Sequence, residues 1–382
     1  EQRTIYQYGL DDDQRTVGRF GYLGHEKVKN ALLDNHFQAQ WNAGRFEHTT
    51  LVGIDLQHAS TNQLGGGNVV DPLDIYAPVY HQDYSDLDAF YDINQRRQLD
   101  QAGVYLSEQL KFDEHWVFNL GGRQDWARSK TVHYATDTAA DLKQRDHAFT
   151  WRTGVMYLAD NGLAPYISYS ESFFPVAGTN KAGQTFVPTE GKQYEIGIRY
   201  QPEGSATLLS AAVYQLEQQN VLSQDRTDLN FSVQVGEVRS RGFELEAKTE
   251  VTPDLSLIAS YAYIDARITK SDIASEIGQR SEDTPYHQAA LWADYRLAAL
   301  GIPQLRIGGG ARYKGTTQAS GVPSSMPAYT LYDARASYEI DPHWEVALNA
   351  NNVTNKRYTY CEFAICRYGD ERQLVSSLTY RW

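Results

Sequence analysis

The chain has 382 residues and a net charge of −13 at pH 7, which argues against a nucleic-acid-binding protein, since such a protein needs a basic face. Hydrophobic residues make up 41% of it, and no apolar run approaches the ~20 residues that a membrane-spanning helix requires, which excludes a helical membrane protein. The excess of 27 Tyr and 7 Trp over 2 Met fits β-strands and the aromatic girdles of a membrane barrel, although a glycan-binding β-protein would share it.

Alternation of apolar and polar residues divides nearly the whole chain into predicted β-strands. The stretch 61–96, with Gly65–Gly67, is polar and is predicted to be a long loop. Asn161-Gly162 joins two strands and is the strongest short hairpin signal. The fifteen predicted strands are 17–42, 48–60, 98–112, 116–130, 147–160, 163–175, 194–200, 206–224, 229–250, 255–270, 284–298, 304–317, 327–340, 343–356 and a closing strand from Leu374.

The connections between these strands alternate between short turns and long, variable loops. This asymmetry is typical of outer-membrane barrels, which have short periplasmic turns and long extracellular loops. The closing strand places Leu374, Leu378 and Tyr380 on one face and ends on Trp382, as expected for an aromatic at the membrane interface. A soluble sandwich remains compatible with the alternation alone, whereas a propeller repeat of ~40–50 residues is not found. We therefore predict an all-β protein, a transmembrane antiparallel β-barrel.

The number of strands predicts where the chain lies in such a barrel. Bacterial single-chain barrels have an even number of strands and both termini in the periplasm. With fifteen strands, the chain is expected to begin in an extracellular loop and to be the C-terminal portion of the barrel over residues 1–382. No signal peptide is recognisable at the start.

The two cysteines, Cys361 and Cys366, lie in one short polar segment of a chain without other cysteines. Their spacing is not that of a zinc site. They predict a local disulfide in an oxidising compartment, which is consistent with a cell-surface loop.

Several segments together resemble the C-terminal barrel of TonB-dependent outer-membrane receptors. They are LGGRQDWARS (120–129), FTWRTGVMYLADNGLAPYISYSESFFP (149–175), EGKQYEIGIRY (190–200), GEVRSRGFELEAK (236–248), LWADYRL (291–297), NNVTNKRY (351–358) and ERQLVSSLTYRW (371–382). Within that family, SYSESFFP, GKQYE and the cysteine pair are most similar to receptors for ferric hydroxamate siderophores of the ferrichrome or ferrioxamine type. The resemblance implies a 22-stranded barrel, of which about seven strands lie outside this chain. It also implies a plug domain, contacted by TonB, that is not recognisable in these residues.

The resemblance also implies which residues contact the ligand. The hydroxamate receptors place aromatics around the ligand at a Tyr-x-Tyr-Gly motif, which matches Tyr6 to Gly9 here, and others on the final loop. A ferric hydroxamate has a saturated iron, so it is recognised by shape, apolar faces and hydrogen bonds rather than by iron ligands. No cofactor and no metal site are therefore expected. The candidate ligand-binding residues are Tyr6, Tyr8, Gln63, His81, Tyr360, Phe363 and Tyr368.

Other functions are weighed against this one. No catalytic motif of the HExxH or GxSxG kind is present, so an enzyme is not expected. A passive porin-like channel and a glycan-binding surface β-protein remain alternatives. Within the receptor hypothesis, a catecholate, citrate, haem or cobalamin ligand is the alternative to a hydroxamate. Lipid, lipopolysaccharide and the TonB complex are the expected partners.

Overall fold

The structure is a computed structural model, and it shows one large antiparallel sheet. It describes residues 2–79, 93–134, 141–225, 231–318, 325–362 and 365–382. In this part, sixteen strands form the sheet and each pairs with the next along the chain, while β16 and β17 pair only with each other. The strands are β1 (Gln2–Leu10), β2 (Thr16–Ala43), β3 (Phe46–Asp74), β4 (Ile93–Phe112), β5 (Trp116–His133), β6 (Leu142–Tyr157), β7 (Leu163–Phe174), β8 (Thr189–Tyr200), β9 (Leu208–Gln224), β10 (Ser232–Thr252), β11 (Leu255–Lys270), β12 (His287–Arg296), β13 (Leu305–Lys314), β14 (Tyr329–Glu339), β15 (Trp344–Asn351), β16 (Thr359–Glu362), β17 (Ile365–Tyr368) and β18 (Gln373–Tyr380).

The sheet follows the chain as a simple meander, and its connections differ between its two ends. At one end, tight turns such as Gly44–Arg45 and Asp113–His115 join the strands, and Gly44 supplies the left-handed backbone that its turn needs (φ 64°). At the other end the connections are mostly longer. The last loop, residues 352–372, is the longest of these connections, and it contains β16 and β17. This alternation agrees with the predicted periplasmic and extracellular ends of a barrel.

The two faces of the sheet differ in chemistry. On the outer face, Val52, Ile54 and Leu56 of β3 are 44–48% exposed although they are apolar, as expected for side chains that face lipid. On the opposite face of β3, Asp55 lies in register with Asp34 of β2. We call this polar face the inner wall.

Aromatic side chains form a row on the outer face near the tight turns. Phe46 packs on Phe112 with ring centroids 4.8 Å apart, and Trp116 packs on Tyr157 at 4.9 Å. Trp344 and Tyr380 repeat the arrangement between β15 and β18 at 4.8 Å. Amphipathic rings at this level are typical of the girdle at a membrane interface.

Two histidine–carboxylate pairs border the apolar band of β3 and β4 on the outer face. His48 lies 2.7 Å from Glu108 on the side of the tight turns, and His58 lies 2.6 Å from Asp100 on the far side. Leu106 and Val104 lie between the two pairs on the same face of β4, with 55% and 45% of their surface exposed. Pairing satisfies the polar groups where the surface changes from apolar to polar.

The structure corrects three of the sequence-based predictions. The sheet has sixteen strands rather than fifteen, because Gln2–Leu10 is a strand paired with β2, and not an extracellular loop. β3 continues to Asp74, so residues 61–74 are a strand rather than a loop. Gly65 and Gly67 pair with β2 in that extension. This extension of β3 could not be predicted from composition, because a Gly-rich polar strand lacks the β-branched and aromatic side chains from which strands are recognised.

The described helices are two single 3₁₀ turns, Ala274–Glu276 and Leu297–Leu300. Over the ranges given above, no helix is long and apolar enough to cross a membrane. Within the same ranges, β1 and β18 each pair on one side only.

Candidate functional site

Charged hydrogen bonds on the inner wall link β3 to β5 across β4. Arg123 of β5 donates from Nη2 to Asp55 Oδ1 at 2.9 Å and to Asp125 Oδ1 at 2.7 Å. Gly103 of β4 lies directly between the two aspartates in register, and a Cβ there would collide with the Arg123 guanidinium. The glycine therefore makes room for a cation that bridges three strands, and the wall here suits an aqueous interior.

Further from the tight turns, two aromatic rings lie over glycines of β2 and β3 on the inner wall. The Tyr22 ring covers Gly24 and Gly65, where an added Cβ would lie 3.1 and 2.5 Å from the ring or its hydroxyl. The Phe20 ring covers Gly67 in the same way. We call Phe20 and Tyr22 the aromatic platform. Such rings present an apolar face, and Tyr22 adds a hydroxyl for hydrogen bonding.

Gln63 lies on the same face of β3 as Gly65, two residues closer to the tight turn. Its Oε1 accepts a hydrogen bond from Gln95 Nε2 at 2.9 Å, and Gln95 is buried. Gln63 was expected in a loop, and the structure places it on β3 instead. A fixed amide pair beside the aromatic platform supplies polar groups of defined orientation.

The Tyr-x-Tyr-Gly motif lies on β1 rather than in a loop, and its backbone adjoins the platform. Tyr6 pairs in register with Phe20, and a register shift lies between Gln7 and Gly9, at Tyr8. The structure thus brings Tyr6 and Gln63 to the neighbourhood of Phe20 and Tyr22. Sequence reasoning missed the latter two, although the glycines across from them on β3 were a signal of close approach to a backbone.

A second feature of the inner wall is a cavity of about 430 Å³ between β10 and β14. Arg312, Tyr329 and Tyr358 line it, and the rings of Tyr329 and Tyr358 stack with centroids 4.3 Å apart. Glu244 and Glu246 of β10 line its other side. We call this the inner cavity. Tyr358 belongs to the last loop and was not predicted as a contact residue.

The last loop carries the cysteine pair and the remaining candidates. Cys361 and Cys366 form a disulfide between β16 and β17, as predicted. Tyr360 is half-buried in this hairpin, whereas Tyr368 is 78% exposed. These two do not line the inner cavity, and the loop residue that does so is Tyr358. His81 and Phe363 lie outside the described residues.

Beyond the aromatic platform, hydrogen bonds to carboxylates hold the ends of β2 and β3 that lie far from the tight turns. Arg15 Nε donates to Asp74 Oδ2 at 2.6 Å, and this bond lowers the pKa of Asp74. Two hydrogen bonds from Thr16 lower the pKa of Asp13, and the bond from the Thr16 hydroxyl contributes more than the bond from its backbone amide. These carboxylates are therefore ionised at neutral pH. Over the described ranges, no three His, Cys, Asp or Glu side chains are placed to hold a metal ion.

A family model described as "TonB dependent receptor-like, beta-barrel" matches residues 2–353 of the chain. The chain belongs to this family. Its membership agrees with the all-β fold and with the expected outer-membrane location, and it makes the protein a receptor barrel rather than an enzyme.

Curated relatives of this TonB-dependent receptor barrel cover nearly the whole chain. The ferrichrome outer membrane transporter/phage receptor of Escherichia coli K12 is 35% identical over 100% of this chain and 54% of the relative. The ferrioxamine B receptor of Salmonella typhimurium SL1344 is 34% identical over 94% of this chain and 51% of the relative. The chain thus spans about half the length of the relatives that it matches.

Solved structures agree with the fold of this TonB-dependent receptor barrel. The siderophore receptor PiuA from Acinetobacter baumannii superposes with a TM-score of 0.78 at 22% identity, covering 99% of this chain and 63% of that one. The unliganded ferric citrate transporter FecA gives a TM-score of 0.72 at 17% identity, with 99% and 60% covered. At these identities the likeness concerns the fold alone.

Proposed function

We propose that residues 1–382 are the C-terminal part of the barrel of a receptor that binds and imports ferric siderophores of the hydroxamate class. Import is energised by the TonB complex, which acts through a plug domain contributed by sequence outside these residues. The remaining barrel strands, beyond the single-sided edges β1 and β18, come from that sequence too. The observation that carries the proposal is the 32–35% identity to ferrichrome and ferrioxamine receptors over 94–100% of the chain.

The inner wall offers the chemistry that such a ligand needs. A ferric hydroxamate presents a compact surface of methylene groups and hydroxamate oxygens, and its iron accepts no protein ligand. Phe20 and Tyr22 supply apolar faces, and the Gln63–Gln95 pair supplies amide donors. We propose that this group, together with Tyr6 and Tyr8, is the binding surface, with His81, Tyr360, Phe363 and Tyr368 as further contacts.

Ligand titration of the complete receptor tests the proposal. Ferrichrome, ferrioxamine B, a ferric catecholate and ferric citrate are added to the purified protein, and quenching of Trp fluorescence gives each Kd. We expect the two hydroxamates to bind most tightly, and Tyr22→Ala to weaken them at least tenfold. Binding of the catecholate or citrate complex alone refutes the hydroxamate assignment.

Two assays separate this proposal from the alternative functions. Uptake of radioactive iron by cells must depend on TonB, whereas a porin-like channel conducts ions without it. A glycan-binding surface protein remains soluble without detergent, and a membrane barrel does not. TonB-independent conductance or detergent-free solubility of the complete product would each overturn the receptor function.

A row of cations on the outer face supports contact with lipopolysaccharide as well. Arg128 lies directly opposite Arg145, and Lys130 lies opposite Lys143, just beyond the exposed ring of Trp126. Like charges across a strand pair repel each other unless an anion lies between them. Asp141 already lies 3.9 Å from Lys130. The phosphates of lipopolysaccharide in the outer leaflet supply further anions, so we propose that these four residues bind them.

A further inference from the structure

Residues 352–356 and 370–372 lie together at the base of the last loop, and we call them its neck. The neck is held together by one buried amide side chain. Asn352 is 2% exposed, and its Oδ1 accepts a hydrogen bond from the Lys356 amide at 2.8 Å. Its Nδ2 donates to the Lys356 carbonyl at 2.9 Å and to the Asp370 carbonyl at 3.0 Å. One side chain thus joins the outgoing and the returning ends of a loop of about twenty residues.

Two asparagines shape this neck. Asn352 and Asn355 adopt left-handed backbone conformations, with φ of 50° and 51°. Asn accepts this conformation more readily than other non-glycine residues. Asn355 Oδ1 accepts a hydrogen bond from the Arg372 amide at 2.8 Å, which closes the neck a second time.

The neck is also tied to the inner cavity. The Asn352 backbone amide donates to Asp333 Oδ1 at 2.9 Å, and Arg312 Nη2 donates to the same oxygen at 3.0 Å. Arg312 Nε donates to the other oxygen, Asp333 Oδ2, at 2.6 Å. Since Arg312 lines the inner cavity, three consecutive contacts lead from the cavity to both ends of the loop.

We propose that Asn352 is the positioning residue of the last loop, and that Asp333 makes the loop position depend on Arg312 in the inner cavity. The loop and its disulfide hairpin are then held at a fixed place over the inner wall. The effect on ligand affinity rests on the proposed function, whereas the positioning itself does not.

Amide hydrogen exchange of the complete receptor, without ligand, tests the positioning role. Asn352→Gly keeps the left-handed backbone and removes the side chain, so exchange at Lys356 and Arg372 should rise at least tenfold. Asn352→Asp keeps the acceptor for the Lys356 amide but loses the donor to the Lys356 and Asp370 carbonyls. Asn355 alone then holds the returning end through the Arg372 amide, so exchange at Arg372 should rise while Lys356 stays protected. Asn42→Asp, the same change at an exposed site near a tight turn, is the control.

The tie to the cavity has its own test. Arg312→Met should raise exchange at Asn352 and Lys356, whereas Arg306→Met, on the same face of β13, should not. Unchanged exchange at Arg372 in Asn352→Asp would overturn the positioning role, and unchanged exchange in Arg312→Met would overturn the tie. If exchange behaves as expected but the parent protein binds no ferric hydroxamate, the proposed function fails and the positioning role stands.

Discussion

The indole ring of Trp41 and the imidazole ring of His48 are stacked on the outer face, with centroids 3.7 Å apart and planes 6° from parallel. His48 reaches from this stack to Glu108, whose second oxygen accepts a hydrogen bond from Thr50 at 2.5 Å. A carboxylate at the edge of a lipid-facing band thus keeps two partners. An unpartnered one would be costly at this depth.

We predict that His48→Leu destabilises the protein by about 1–3 kcal/mol, because Glu108 loses a partner in a poorly hydrated place. The double variant His48→Leu/Glu108→Leu should recover most of that loss, since replacing both partners by apolar groups is nearly neutral. Urea titration of the parent, the single variant and the double variant in detergent gives the free energy of unfolding of each. Equal destabilisation by the single and the double change would contradict the argument.

The glycines beneath the aromatic platform give a prediction for binding. Gly65→Val places side-chain atoms where the Tyr22 hydroxyl now lies and should tilt that ring off the wall. We expect the Kd for ferric hydroxamates to rise about tenfold, equivalent to about 1.4 kcal/mol. Gly309→Val is the matched control, because the nearest atom to its Cβ, a backbone oxygen, lies 3.6 Å away. Equal loss of affinity in both variants would rule out the platform as the cause.

The disulfide should stabilise the last loop only. Cys361 and Cys366 close a very short segment, so loop-closure entropy amounts to about 2 kcal/mol. Replacing both by Ser should raise protease sensitivity within the last loop, while the thermal unfolding of the barrel stays unchanged. Unfolding of the whole barrel on reduction would show that the bond has a wider role.

His115, in a tight turn, predicts a dependence of stability on pH. Two hydrogen bonds raise the pKa of His115 above its ordinary value. The larger effect comes from the bond to the Asp113 carbonyl, and the next from the bond to the Asp160 carboxylate. Its stabilising contribution is therefore fully present below about pH 6.5, the unfolded value, and is lost as pH rises through the higher folded value. The stability difference between the parent and His115→Gln should shrink as the pH rises above about 6.5. A difference that grows with pH would reverse the sign of this linkage.

The sequence predicted the meander well because most strands alternate strongly. Segments such as 255–270 match their observed bounds, since Leu257, Tyr261 and Tyr263 share one face of the strand while Ser256, Ser260 and Ala262 lie on the other. β1 and the far half of β3 escaped prediction. Their residues pair through the backbone, and beyond the membrane no lipid enforces a period of two.

The candidate site was predicted only in part. Tyr6 and Gln63 were expected in loops, whereas the structure places them on β1 and β3, and their contact with a ligand stays a prediction. Phe20 and Tyr22 were not recognised, because only register with β3 reveals the glycines under their rings. Tyr358 and Asn352 were quoted within a motif but given no role, since their partners Tyr329 and Asp333 lie more than fifteen residues away in sequence.

The two histidine–carboxylate pairs that border the apolar band also measure the bilayer. Asp100 and Glu108 are eight residues apart on β4. At ~3.4 Å per residue they are about 27 Å apart along the strand, and about 20 Å apart in height for a strand tilted by ~40°. The hydrocarbon layer that this sheet matches is thus thinner than the ~30 Å of an average membrane, as in the bacterial outer membrane. In a thicker bilayer the strands would have to stand more upright, or the lipid would have to compress around them.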